Sequence, residues 1–315
     1  MAFAFTLSCG IVFKKYVLKP PSCTTLMCID LHTHSLYSDG SHTPHELVAL
    51  GLQNKLRCLA LTDHDTVEGV TDLLRYGKKA GLPVLSGMEV STTLRNYTVH
   101  ILGYGFDPEL PELHRWLRPL QDSRARRNQN ILAKLHNLGI DISEEELQAV
   151  SGEGQTGRPH FARLLVQRGV VASFDAAFSR YLGRNKPAWV PRFSYSAPEA
   201  IAMIHRAGGK AVLAHPGMLS PDMRVIVALV EELAHQGLDG LEVYYPSHSR
   251  QLCRRLINLA SIHRLLVTGG SDFHGATRPA HPLASRTNGF CPPASLLSPL
   301  LAALANQHDQ QPFFH

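Results

Sequence analysis

The stretch Ile29-Asp30-Leu31-His32-Thr33-His34-Ser35-Leu36-Tyr37-Ser38-Asp39-Gly40 decides how the rest of the chain is read. A short apolar strand signal ends in two histidines at i and i+2, positions that a strand projects to one face, so both imidazoles can reach one point in space. Asp39 follows five residues later in a turn-forming Ser-Asp-Gly and adds a carboxylate at the same end. This is metal-ligand spacing. Two surface histidines beside a turn would look the same in isolation. The pattern gains weight because strand ends that carry histidine and acid recur along the chain.

Thr43-Pro44-His45-Glu46 opens a helix, with Thr43 suited to the N-cap and Pro44 to the first turn. Residues 59–62 read as a buried strand that ends in Asp63-His64-Asp65. A helix over 67–80 and a strand over 82–86 lead to Gly87-Met88-Glu89, and the β-rich run 97–104 carries His100 in its middle. From about residue 107 to 192 the pattern turns helical and basic, with helices predicted over 117–138, 144–150 and 161–167, which reads as a small inserted helical domain. After Pro198 the strand and helix rhythm resumes. The strand 210–214 leads into His215-Pro216-Gly217, the strand 240–244 follows a helix over 223–235, and the strand 265–268 ends in Gly269-Gly270-Ser271-Asp272-Phe273-His274. Alternating strands and helices predict an α/β fold with a parallel sheet or barrel, in which active groups gather at the C-terminal ends of the strands.

Composition bounds the function. With 315 residues, 44% hydrophobic, 18% charged and a formal net charge of +5, the chain is an ordinary globular protein whose mild basicity does not by itself argue for nucleic acid. None of the six cysteines forms a CxxC pair, so neither a disulfide framework nor a thiolate zinc site is expected, and a reducing cytoplasm fits. No span reaches the roughly 18 to 20 apolar residues of a membrane helix. Residues 1–26 carry no motif and read as an unstructured extension, with Met27 as the natural start. The expected organisation is therefore 1–26 extension, 27–106 first part of a barrel, 107–192 insert, and 193–315 second part of the barrel with a C-terminal tail.

Nine groups stand at or beside consecutive strand ends: His32, His34, Asp39, His64, Glu89, His100, His215, Asp272 and His274. All are nitrogen and oxygen donors without thiolate, which suits Mn, Fe, Zn or Mg better than a closed structural zinc site. Together the segments DLHTHSLYSDG, LTDHD, GMEVS, VHILGYG, LAHPG and GSDFH resemble the successive motifs of the PHP (polymerase and histidinol phosphatase) superfamily. The resemblance implies a distorted (β/α)7 barrel with a centre of three divalent metal ions, manganese foremost. By motif, His32, His34, Glu89 and Asp272 would hold one metal; Glu89, His100 and His215 a second; and Asp39, His64 and His274 the third. The insert, through Arg126-Arg127-Asn128-Gln129, Arg158-Pro159-His160-Phe161-Ala162-Arg163 and Tyr181-Leu182 with Lys186-Pro187, resembles the branch of nucleoside 3',5'-bisphosphate phosphatases and RNase AM-type 5'-to-3' exoribonucleases.

That branch implies a metal-dependent phosphoesterase acting on nucleoside 3',5'-bisphosphates, on the 5' end of short 5'-phosphorylated RNA, or on both, with no obligate protein partner. Alternatives are a PHP phosphatase of another small phosphorylated metabolite and a PHP barrel that binds without catalysis. For proton transfer the candidate is Asp65, beside His64; the competing reading of the same residue is a partner that orients a ligand. For substrate phosphate the candidates are Arg124, Arg126, Arg127, Arg158 and Lys186, with His160 and His248 also facing the substrate.

Overall fold

A computed structural model describes residues 27–152 and 154–308; the expected extension over 1–26 lies outside them. Seven strands form one sheet in chain order: β1 (Ile29–Asp30), β2 (Cys58–Leu61), β3 (Val84–Leu94), β4 (Tyr97–Tyr104), β5 (Lys210–Leu213), β6 (Gly240–Tyr244) and β7 (Leu266–Gly269). Neighbours pair in parallel, except that β4 runs against both β3 and β5. β4 follows β3 through a hairpin and not a helix, and this reversal distorts the barrel. The chain beyond β1 meets the chain beyond β7, where Leu31 N–H donates to Gly269 O and His34 N–H to Phe273 O, so the sheet nearly closes.

Alternation along the strands sorts their side chains. Leu59 and Leu61 of β2 pack outward with Leu47 of α1 (Pro44–Gln53) and Leu73 of α2 (Val70–Ala80). The other parity, Ala60, Leu102, Tyr104 and Val212, meets Ile29 and Leu31 inside the barrel. Further along the same inward parity come Glu89, His100 and Glu242, so the site sits on an apolar plug. α10 (Leu297–His308) completes that plug with Leu297, Leu300 and Leu304. This helix was not legible as such, because its first turn holds Pro299 and its apolar residues run almost without a polar face.

The long helix α3 (Pro111–Asn137) begins six residues earlier than the apolar period predicts and continues through Pro119. Its first half packs Leu113, Leu117 and Leu120 on the barrel helices, while Ile131 and Leu135 enter a separate apolar cluster. That second cluster joins α4 (Glu144–Ser151), α5 (Arg158–Gln167), α6 (Phe174–Ala177) and the wide turn Phe178–Leu182. Between the halves, Arg124 and Arg127 are buried. Gly154 fastens the insert to the barrel: a Cβ there would lie 1.7 Å from Leu36 O, and Gln155 N–H donates to Tyr37 O. The barrel helices α7 (Ala197–Arg206), α8 (Met223–His235) and α9 (Arg250–Ile262) follow.

One expectation about cysteine is corrected. Cys28 and Cys291 form a disulfide across 263 residues of sequence, which no local spacing announces; it fastens the start of β1 to the segment whose Pro292 O accepts from Ile29 N–H. A bridge closing so long a loop contributes about 2–4 kcal/mol, so reduction is expected to lower the melting temperature by roughly 5–15 °C. Identical melting with and without reductant would mean that the thiols are not joined in the folded protein.

Candidate metal centre and anion site

The strand ends bring the nine predicted ligands to one end of the barrel. Three of the turns that do this hold non-glycine residues in the left-handed region: Asp65 (φ 55°), His215 (φ 29°) and Asp272 (φ 53°). Such backbone is costly and persists where surrounding contacts fix it, a common property of functional sites. Gly270 serves the same purpose by absence, since a Cβ there would come within 2.3 Å of His32 Cβ.

Glu89 is the hub. Its Oε2 lies 3.3 Å from His32 Nε2, 3.3 Å from His34 Nε2 and 3.0 Å from His64 Nδ1, and its Oε1 lies 2.7 Å from His100 Nδ1 and 3.1 Å from His215 Nε2. Asp272 Oδ1 stands 3.4 and 3.1 Å from the same nitrogens of His32 and His34. Asp39 Oδ1 stands 3.2 Å from His274 Nε2. Ligand atoms fall within 4.8 Å of one another in three groups: His32, His34, Glu89 and Asp272; His34, Asp39, His64 and His274; and His64, Glu89 and His100. The division differs in detail from the expected one. His64 and His34 are each shared between groups, and His215 reaches the centre through Glu89 without joining a group.

Burial alone would raise the carboxyls of Glu89, Asp39 and Asp272, yet the surrounding histidines hold all three well below the usual range. Burial pushes the His64 imidazole down to about 3, despite the pull of Glu89 and Asp39. For His34 the order reverses: burial opposes protonation, and contacts with Asp272 and Glu89 carry it up to about 10. Whether divalent cations fit here is decided by His32 Nε2, His34 Nε2 and His64 Nδ1, which are buried, point at carboxylate oxygens and make no hydrogen bond. Buried ring nitrogens that converge with carboxylate oxygens on one place and have no hydrogen-bond partner there suit a metal, whose binding would displace their protons.

A second set of groups, which local reading did not find, orients the first. Glu242 Oε1 accepts from His32 Nδ1 at 2.9 Å and its Oε2 accepts from the His215 N–H at 2.8 Å. A lone acid inside the apolar strand Gly-Leu-Glu-Val-Tyr was the available signal. Asp63 accepts from Ser35 and Ser38 hydroxyls at 2.5 Å each and sets the loop that carries Asp39. Asp30 accepts from Ser271 Oγ at 2.6 Å and from the Ala284 N–H at 2.8 Å, which ties β1 to the Asp272 loop.

Beside the centre lies a concentration of positive charge. Asp65 Oδ2 accepts from Arg124 Nη2 at 2.5 Å and from Arg192 Nη1 at 2.8 Å, and its Oδ1 accepts from the Ser91 N–H. These contacts favour the orienting reading of Asp65 over proton transfer. Burial would raise this carboxyl, but Arg192 and Arg124 hold it far below the carboxylate range. Arg192 was not singled out from sequence. Arg127 and Arg158 complete the cluster; burial, then the nearby guanidiniums, lower both.

Other expected substrate residues divide. His160 is buried, and its Nδ1 accepts from the Gly157 N–H, which leaves the neutral ring's proton on Nε2 as a donor. His248 is corrected: Nδ1 donates to Val243 O and Nε2 accepts from the Gly217 N–H, so both nitrogens are spent bracing the loop after His215. Arg126 and Lys186 are exposed, on the outer side of α3 and in the turn after Gly183, and the structure does not bring them to the buried cluster.

Comparison with known proteins places the chain. Residues 30–180 match the PHP domain model. The chain is 36% identical over 247 residues to the 3',5'-nucleoside bisphosphate phosphatase of Chromobacterium violaceum, covering 78% of this chain and 87% of that protein. It is 35% identical to the 5'-3' exoribonuclease Rnm of Escherichia coli, covering 78% and 84%. A solved structure from Bifidobacterium adolescentis, a predicted metal-dependent phosphoesterase, superposes with a TM-score of 0.77 at 30% identity over 90% of this chain and 97% of that one. With a PHP domain match over residues 30–180 and similar relatives over most of its length, the chain belongs to the PHP domain family.

Proposed function

We propose that this chain is a metal-dependent phosphoesterase whose substrates are nucleoside 3',5'-bisphosphates or short 5'-phosphorylated RNA. The carrying observation is the juxtaposition of a histidine and carboxylate centre with four largely buried arginines, of which Arg124 and Arg192 pair with Asp65 while Arg127 and Arg158 have no carboxylate bonded to them among the described residues. Such an excess of buried positive charge calls for an anion, and planar guanidiniums match phosphate oxygens. A substrate with two phosphates would place one at the metal ligands and the other at Arg127 and Arg158. His160 Nε2–H is a further donor near Asp39.

Three divalent ions, manganese foremost, would be held by His32, His34, Glu89 and Asp272, by Glu89, His100 and His215, and by Asp39, His64 and His274. When bound, they supply Lewis acidity to phosphoryl oxygens and acidify water at neutral pH. The protein's own part is to fix the ligands through Glu242, Asp63 and Asp30, and to orient the uncleaved phosphate through arginine. The segment 107–192 is the proposed specificity element. No helix among the described residues is long and apolar enough to cross a membrane. The finer placement in the cytoplasm rests on the substrates alone, since a disulfide is more usual of oxidising compartments.

The test is to strip the protein with chelator, restore Mn, Fe, Zn or Mg singly, and measure phosphate and nucleotide release. The panel is a nucleoside 3',5'-bisphosphate, the matching monophosphate and a 5'-phosphorylated trinucleotide. Activity is expected to vanish on stripping and return with metal, most strongly with Mn. Undiminished hydrolysis by metal-free protein would sink the reading, and a preference for phosphorylated sugars over all nucleotides would move the substrate to another class.

A further inference from the structure

Asp272 carries more than its place among the proposed ligands requires. Its Oδ1 faces His32 Nε2 and His34 Nε2 at 3.4 and 3.1 Å, with His274 Nδ1 at 3.6 Å. Its Oδ2 is turned away and accepts from two donors, Tyr245 O–H at 2.8 Å and Arg278 Nη1. Arg278 Nη2 also donates to Tyr245 Oη at 3.4 Å, so carboxylate, phenol and guanidinium form a closed triangle. Tyr245 is itself wedged between rings, with His215 at 5.4 Å, His248 at 5.2 Å and His281 at 5.6 Å. His281 in turn is fixed by a hydrogen bond to Ser271 O. The Arg278 side chain keeps 38% of its surface exposed at the rim.

We propose that Arg278 is a positioning residue that sets how Asp272 presents itself to a divalent cation; this rests on the metal reading given above. A free carboxylate can turn both oxygens to a metal or rotate either one inward. Here the outer oxygen is pinned by two donors, so only Oδ1 is offered, at the side where His32 and His34 converge. Partners behind a ligating carboxylate fix its orientation in this way. Asp272 also sits on left-handed backbone and would otherwise be free to relax away. The alternative, that guanidinium and cation compete for the same carboxylate, is not favoured by the geometry, because they address different oxygens.

The experiment titrates Mn2+ into metal-free wild type, Arg278→Ala, Arg278→Lys and Tyr245→Phe, and records melting with and without Mn2+ and kcat and KM at saturating Mn2+. Arg278→Ala is expected to bind Mn2+ about 10-fold more weakly, with metal-free melting almost unchanged. Arg278→Lys, which keeps one donor on Oδ2, should recover most of the affinity, and Tyr245→Phe should lose a smaller part. Unchanged Mn2+ affinity in Arg278→Ala would overturn the proposal, whether or not metal-free melting falls. Tighter binding in that variant would show competition and overturn it from the other side. Wild type that takes up none of Mn2+, Fe2+, Zn2+ and Mg2+ would sink the metal reading itself, a failure separate from the first two.

Discussion

Replacing Glu89 by glutamine is expected to strip most of the bound metal and to lower turnover by about a thousand-fold or more. The reason is the crowding on one carboxylate. Five imidazoles stand within 3.3 Å of its two oxygens, and the group is 1% exposed, so no water can take its place. Glutamine keeps the shape and removes the charge. It also turns an NH2 towards nitrogens that need lone pairs free for metal, so at least one group is presented with a donor where an acceptor is required. The measurement is metal content by elemental analysis after gel filtration, alongside kcat on a simple phosphate ester. Full activity at normal metal content would exclude Glu89 as a shared ligand and, with it, the centre as drawn. Because glutamine keeps the shape of the buried side chain, the metal-free variant should still fold, and its circular dichroism provides the control.

The candidate ligands stood out because most of them follow an apolar run that had to be a buried strand, and a polar side chain directly after such a run has few other reasons to be there. His32, His64, Asp272 and their neighbours therefore declared themselves locally. What stayed hidden depends on partners far away in sequence. Glu242 makes sense only against His32, 210 residues earlier, and Arg192 only against Asp65, 127 residues earlier. Asp65 illustrates the point from the other side: beside His64 it reads equally as an acid or an orienting group, and the two arginines that pair with it come from the insert. The same holds for His248, whose neighbours in sequence say nothing of the Gly217 amide that occupies its second nitrogen. The fold was read through its alternation of strands and helices, yet α10 was missed because its apolar residues do not repeat with a clear polar side. The disulfide was missed because two cysteines 263 residues apart carry no spacing at all.

Within the arginine cluster, Arg127 and Arg158 should govern substrate choice and leave the chemistry alone. Arg124 and Arg192 are already committed to Asp65, whereas Arg127 donates from Nη2 to Asn128 Oδ1 with its Nε unpartnered, and Arg158 donates to Leu182 O with its guanidinium 5.8 Å from the Phe178 ring. Donors left unused on a buried cation are the ones a phosphate would engage. A charge-assisted hydrogen bond to phosphate contributes roughly 1.5–3 kcal/mol, so Arg127→Ala or Arg158→Ala is expected to lower kcat/KM for a 3',5'-bisphosphate by about 10- to 100-fold. The matching monophosphate should hardly respond, while a 5'-phosphorylated trinucleotide, which keeps the second phosphate as a diester, should fall between. Stability separates this from a role in the fold. Arg127 is 5% exposed among like charges, so Arg127→Met removes a desolvated, repelled cation and should leave melting unchanged or raise it. Equal losses on all three substrates together with a lowered melting temperature would make these arginines supports of the insert, and the second phosphate would then have to be held elsewhere.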